Sequence, residues 1–201
     1  MLIGITGQIG SGKTEVARIF RKYHARVISA DKIGHDVVEK NPAVLKKLAR
    51  SFGPEILTSR GRLNRKLLGK MAFSSRAQKK KLNTIVHPPL LRELSRRVRD
   101  ALKGNKLVVV DAALLIDWGW HKKVDFLIVV HSPHQVKISR FMNKGYSYQE
   151  AFDRLKSQLP LIRYRQYADF VIYNNKSIAA LEVQVAEIMA KIGRKKLTLP
   201  V

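Results

Sequence analysis

The chain has no cysteine among its 201 residues, which excludes disulfides, cysteine nucleophiles and cysteine-ligated zinc. Acidic residues are scarce, with 15 Asp and Glu against 39 Lys and Arg. The resulting formal net charge of +24 favours acidic ligands. Long hydrophobic runs are missing as well. No segment approaches the roughly 18 consecutive apolar residues of a membrane span, and the apolar start is too short for a signal peptide, so a cytoplasmic protein without a membrane partner is expected. Aromatic residues make up only 7%. None of them interleaves the basic clusters at residues 76–81, 92–99 and 194–196 as a base-stacking platform requires, so nucleic acid is not expected as the main partner. Arg92, Arg96, Arg97 and Arg99 lie beside Leu91, Leu94 and Val98 and read as the solvated face of an amphipathic helix. The histidines show no metal-ligand spacing, and there are no internal repeats or low-complexity linkers.

One dense motif is present. Gly7-Gln8-Ile9-Gly10-Ser11-Gly12-Lys13-Thr14 fits G-x-x-x-x-G-K-[ST] at every position. The apolar residues 1–6 before it suit a buried strand, and Val16, Ala17, Ile19, Phe20 and Tyr23 after it recur at helical spacing. Three glycines let the backbone turn tightly and bring N–H groups to phosphate oxygens that side chains would otherwise block. The following helix offers unpaired N–H groups and a partial positive charge to the same anion. Lys13 adds a full charge for the outer phosphates, and the Thr14 hydroxyl is a hard oxygen ligand for Mg²⁺. A chance glycine-rich turn is the alternative, and eight matched positions between a strand and a helix argue against it. A nucleoside triphosphate, ATP with Mg²⁺, is the expected ligand.

Residues 25–30, 106–111, 124–130 and 169–173 read as four further strands, the middle ones continuous apolar runs suited to a parallel sheet covered on both faces. The expected fold is α/β, a P-loop NTPase-type parallel five-stranded sheet flanked by helices, with ligands at the carboxyl ends of the strands. A single domain is expected, with its core at about 1–31, 104–131 and 166–193. A helical excursion over residues 32–103 suits an acceptor-binding lobe, and a second, basic one over 132–165 suits a lid that excludes water from phosphoryl transfer. A last helix is expected over residues 178–192, ended by Gly193 and followed by a loose basic tail, 194–201. The oligomeric state is open, with a monomer consistent with the sequence. Asp31-Lys32-Ile33-Gly34 matches the D-x-x-G of GTPases but follows the loop too closely, and no N-K-x-D comes after it.

Further blocks surround the loop: Ala30-Asp31-Lys32-Ile33-Gly34-His35, Gly61-Arg62-Leu63-Asn64-Arg65-Lys66-Leu67-Leu68 with Ala72-Phe73, Ile85-Val86-His87-Pro88, Asp111-Ala112-Ala113-Leu114-Leu115, Arg140, and Ala168-Asp169-Phe170-Val171-Ile172-Tyr173-Asn174-Asn175. In this order and spacing the chain resembles the dephospho-coenzyme A kinase family over nearly its whole length. The resemblance implies ATP-dependent phosphorylation of the ribose 3′-hydroxyl of dephospho-coenzyme A. Rival readings are another small-molecule or nucleotide kinase on the same scaffold, and a nucleic-acid-binding NTPase.

Asp31, at the end of the second strand, suits either a hydroxyl-activating carboxylate or a helix N-cap. The resemblance implies the former, with Lys13 and Arg140 as the other catalytic groups. It also assigns His35, Arg65 and His87 to acceptor binding, where a surface salt bridge for Arg65 and a structural role for His87 stay open. Asp111, at the end of the third strand, suits a magnesium-linked carboxylate or a helix cap. The resemblance places Arg140 and Lys144 where the family has two arginines, four apart on one helix face, to meet the ATP phosphates. Arg154, Arg163 and Arg165 are further candidates, and Asn174-Asn175 lies where the family's nucleotide base sits. The chain departs from the family pattern at Ser29, Ala113, Asp117, Lys144 and Lys176.

Overall fold

The computed structural model describes residues 1–156 and 158–197. In chain order it contains β1 (Leu2–Thr6), α1 (Lys13–Phe20), β2 (Arg26–Ser29), α2 (Ala30–Lys40), α3 (Pro42–Phe52), α4 (Arg65–Ala72) and α5 (Arg76–Gly104). There follow β3 (Val108–Asp111), β4 (Phe126–His131), α6 (His134–Met142), α7 (Tyr148–Lys156), α8 (Leu161–Arg165), β5 (Phe170–Tyr173) and α9 (Ile178–Leu197). The chain divides into two units, Met1–Ile28 with Ala101–Val201, and Ser29–Asp100.

The first unit is built on a five-stranded parallel sheet in the order β2-β3-β1-β4-β5. Ile3 lies opposite Val109 on one side and Phe126 on the other, and Ile5 opposite Asp111 and Ile128. Alternate side chains of each strand point to opposite faces. Ile3, Ile5, Val109, Ile128, Val130 and Ile172 pack with Val16 and Phe20 of α1 and with Leu181, Val185 and Ile188 of α9. Val108, Val110, Leu127 and Val129 point the other way and are equally buried. Burial on both faces is why these strands read as unbroken apolar runs. The register also brings Asp111 level with Ile5, at the edge where the chain leaves β1 for the glycine-rich loop.

The structure corrects one boundary. α9 passes through Gly193 and continues to Leu197, because an exposed glycine costs a helix only about 1 kcal/mol relative to alanine and Arg194 and the lysines after it are good helix formers. Residues 198–201 of the expected tail lie outside the described residues. Among the described residues no helix is long and apolar enough to cross a membrane.

In the second unit, side chains start the helices. Ser29 Oγ accepts from the Lys32 N–H (3.3 Å), Asn41 Oδ1 from those of Ala43 and Val44 (3.1 and 3.3 Å), and Asn64 Oδ1 from that of Leu67 (3.1 Å). Each satisfies N–H groups that the first helical turn leaves over. Ile33, Val37, Leu48, Phe52, Leu90 and Leu94 form the buried interior. The basic cluster 76–81 opens the 29-residue α5, which carries Pro88 and Pro89 in its interior. Arg97 links α5 to α2: its Nε donates to Glu93 Oε1 (2.7 Å) and a terminal nitrogen to Asp36 Oδ2 (3.2 Å). Arg96 hydrogen-bonds the Glu93 carboxylate as well.

Hydrogen bonds from Arg96 and then Arg97 hold the Glu93 carboxyl at about 2 against an ordinary 4.5. A depressed carboxyl stabilises the fold above its unfolded value and loses that contribution as pH falls through the folded one. Glu93→Gln should therefore destabilise the protein by about 1 kcal/mol or less near neutral pH, as partly exposed pairs do. The difference from the parent should shrink as pH falls from 4.5 towards 2; urea unfolding midpoints at several pH values measure it.

Candidate active site

The loop between β1 and α1 turns on three glycines with positive φ, Gly7 (146°), Gly10 (77°) and Gly12 (89°). Space is as restrictive as torsion. A Cβ at Gly7 would collide with the Val130 carbonyl oxygen, one at Gly12 with the Asn174 amide nitrogen, and one at Gly10 would lie 3.0 Å from the Lys137 carbonyl oxygen. Gly12 also occupies the N-cap position of α1, with no side chain capping the helix. The N–H groups of Gly10, Gly12 and Thr14 have no hydrogen-bond partner among the described residues. They are donors of the kind that bind phosphate.

The loop carbonyls, by contrast, are tied back. Lys13 Nζ donates to the Gln8 oxygen (3.2 Å). Arg140 donates to the Gly10 oxygen (3.0 Å), and Ser132 Oγ and Asn174 Nδ2 donate to the Ser11 oxygen (3.1 and 2.9 Å). Arg140 also donates to Ser132 Oγ (3.0 Å) and to Asn174 Oδ1 (3.1 Å). Arg140 thus stands at the loop. The α6–α8 region touches the loop twice more. Gln158 Oε1 accepts from the Ile9 N–H (2.8 Å), and Gln8 Nε2 donates to the Leu159 oxygen (3.0 Å).

Thr14 Oγ1 donates to Asp111 Oδ2 (3.0 Å). Asp111 is buried and no helix starts after it, which removes the helix-cap reading. A hydroxyl and a carboxylate side by side at the loop form an all-oxygen donor pair that fits Mg²⁺, which binds through few protein oxygens plus phosphates and waters. No cluster of three or more His, Cys, Asp or Glu is placed to hold a metal among the described residues, so the phosphates would have to complete such a shell.

Other expected residues are placed differently. α6 ends at Met142, and Gly145 turns the chain with φ 84°. Lys144 therefore sits exposed beyond the helix instead of one turn above Arg140 on the same face. Asn175 is exposed, whereas Asn174 is buried and braces the loop. Arg154 lies over the Tyr146 ring at 4.6 Å, Arg165 donates to the Tyr173 hydroxyl, and Arg163 donates to Gln166 Oε1 (3.3 Å).

The remaining candidates belong to the second unit. Asp31 is exposed in the first turn of α2. The capping role falls to Ser29, which removes the N-cap reading of Asp31. His35 is exposed on the same helix. Arg65, the first residue of α4, pairs with Glu39 (2.7 Å) across an exposed surface. His87 is half-buried within α5, just before its two prolines.

Lys137, Ser132 and Gln158 join the loop without having been singled out from sequence. Lys137 is only 3% exposed and donates to Gln8 Oε1. A lysine on a basic helix carries no sign of burial in the sequence; only the apolar spacing of Ile138 and Phe141 beside it hints at which side faces inward.

The chain is similar to known proteins over nearly its whole length. The dephospho-CoA kinase family model matches residues 1–180. A dephospho-CoA kinase of Syntrophotalea carbinolica is 40% identical over 195 residues, covering 96% of this chain and 92% of that protein. One from Aquifex aeolicus is 35% identical over 192 residues, covering 96% and 97%. The solved structure of a dephospho-CoA kinase from Campylobacter jejuni superposes with a TM-score of 0.65 at 26% identity, covering 95% of this chain and 96% of that one.

Gly12→Ala tests the loop. The new methyl group meets Asn174 and forces a strained backbone, a cost of about 1–3 kcal/mol. We expect ATP affinity to fall at least about tenfold, read by calorimetric titration, with the thermal transition retained.

Proposed function

Because the chain belongs to the dephospho-CoA kinase family, transferring the terminal phosphoryl group of ATP to the ribose 3′-hydroxyl of dephospho-CoA in the last step of CoA biosynthesis, we propose that its own residues divide that work as follows. The glycine-rich loop holds the triphosphate through the unpaired N–H groups of Gly10, Gly12 and Thr14. Lys13 and Arg140 neutralise the charge that builds up on the phosphate oxygens in the transition state. The observation that carries this reading is the hydrogen-bonding of the loop, its carbonyls held by side-chain donors while these N–H groups are left over.

Asp31 receives or orients the proton of the attacking hydroxyl. Its exposure, the capping of its helix by Ser29 and the family resemblance support that role. Thr14 and Asp111 would hold Mg²⁺, which would supply charge compensation on the phosphates. The adjacency of their oxygens supports this pairing. The Lys144 ammonium at the edge of the lid and the Asn175 amide after β5 are further nucleotide contacts. His35, Arg65 and His87 bind the acceptor, where the Arg65 fork suits a phosphate group. Residues 132–165 act as the lid and 32–103 as the acceptor lobe, in a cytoplasmic protein.

The test is a coupled assay with ATP and dephospho-CoA beside a panel of nucleoside monophosphates. CoA formed only from dephospho-CoA is the expected result; phosphorylation of a monophosphate at a comparable rate would reject it. Lys13→Ala should lower kcat by about two to four orders of magnitude, the range for removing a preorganised charge-stabilising donor and the positioning it gives. Asp31→Asn should lower kcat about 10²- to 10⁴-fold while ATP titrates as in the parent. Thr14→Ala should raise the Mg²⁺ concentration needed for half-maximal rate.

A further inference from the structure

Lys137 lies directly over the first half of the loop. Its carbonyl oxygen and Cα would stand 3.0 and 3.2 Å from a Cβ at Gly10, so α6 runs against the backbone there. The side chain is 3% exposed, and its one hydrogen bond among the described residues goes to the neutral amide oxygen of Gln8. Among the described residues no ion pair of Lys137 with a carboxylate is formed. Two cations and an imidazole lie near it. Lys13 sits on the Gln8 carbonyl, Arg140 one turn further along α6 sits on the Gly10 carbonyl, and His131 at the end of β4 is pushed towards its neutral form by burial and by the charges of Lys137 and Arg165.

A buried ammonium with no counter-charge is unfavourable unless something anionic completes its surroundings. Burial here lowers the affinity of Lys137 for its proton. An ammonium also has three N–H donors, of which the Gln8 amide takes one. Two are left for a ligand on the loop. The N-terminus of α1 begins at Lys13 and addresses the inner phosphates. With the inner phosphates on that helix, residues 8–10, under Lys137, would border the outer end of a triphosphate. A strap between lid and loop would need only a neutral donor; a cation in this position is explained by an anion.

We propose that Lys137 is a further ligand of the nucleotide, binding oxygens of the terminal phosphate of ATP, with Gln8 as the positioning residue that holds its ammonium over the loop before ATP arrives. The proposal rests on the reading of the chain as an ATP-dependent kinase and adds a residue to it. It makes Lys137 a determinant of ATP over ADP, because only ATP carries the phosphate it touches, and so an aid to product release.

The test is calorimetric titration of the full-length protein with the magnesium complexes of ATP and ADP, and with AMP, in the absence of acceptor, for the parent, Lys137→Met and Lys137→Arg. A lost charge-assisted hydrogen bond should weaken ATP about 10- to 100-fold in Lys137→Met, leaving ADP within about threefold and AMP unchanged. Lys137→Arg, which keeps the charge, should recover most of the ATP affinity. If Lys137 only straps the lid, all three ligands weaken together and arginine restores nothing; that result, or unchanged ATP binding, overturns the proposal. Should Lys137→Met lose its cooperative thermal transition, Lys137→Gln, which keeps a donor towards Gln8, carries the same expectations. The acceptor assay on the parent separates the two levels: failure to form CoA removes the kinase reading, whereas normal CoA formation with an unchanged ATP-to-ADP preference in the variants removes the role of Lys137 alone.

Discussion

The structure has to keep backbone N–H groups unpaired at one place and yet hold that backbone still. A loop held through its N–H groups would have none left for a phosphate, so it is held through its carbonyls. Each carbonyl needs a donor, and the donors here are Lys13 on Gln8, Arg140 on Gly10, and Ser132 with Asn174 on Ser11. The strongest side-chain donors are cations, so the groups that fix the loop also set its positive potential. Rigidity and anion attraction thus come from the same hydrogen bonds. The exceptions are the Ser11 N–H, which donates to the Gln8 oxygen, and the Ile9 N–H, which the Gln158 amide oxygen occupies.

The parts legible in sequence were those where residue type is forced by local geometry. Gly7, Gly10 and Gly12 are required by positive φ and by atoms within contact of any Cβ, and such positions announce themselves. Both-face burial wrote the apolar runs of β1, β3 and β4, and Asp111 was marked by ending one of them. Parts that depend on how one element lands on another were not legible. Asn174 and Asn175 are adjacent and chemically identical, and only the exit direction of β5 decides which one braces the loop. Lys144 falls off the helix because α6 ends at Met142, two residues short of the four-residue spacing from Arg140. At the other end, Gly193 permits a helix to continue as readily as it permits one to stop, and α9 continues. Lys137 is one cation among 39; its burial comes from α6 packing over Gly10, a tertiary fact with no local signature.

The same scarcity of carboxylates has opposite consequences in the two units. On α5, cations meet acids of their own: Glu93 takes Arg96 and Arg97, Asp100 takes Arg96, and Asp36 takes Arg97 and Lys40. Their charge is answered within the chain: Asp36 is held below its ordinary value by Lys40 and Arg97, and Glu93 well below by Arg96 and Arg97. Around the glycine-rich loop Arg140 and Lys137 meet carbonyl and amide oxygens instead. Such an oxygen accepts a hydrogen bond but cancels no charge, and the carboxylate at the loop, Asp111, is engaged by the Thr14 hydroxyl. Between these limits stands Arg65 with Glu39, an exposed pair worth no more than about 1 kcal/mol in water. A phosphate competing for that guanidinium forms a bidentate charge-assisted contact and has only this weak pair to displace. The pairing with Glu39 is therefore as compatible with a replaceable counter-ion as with a structural bridge.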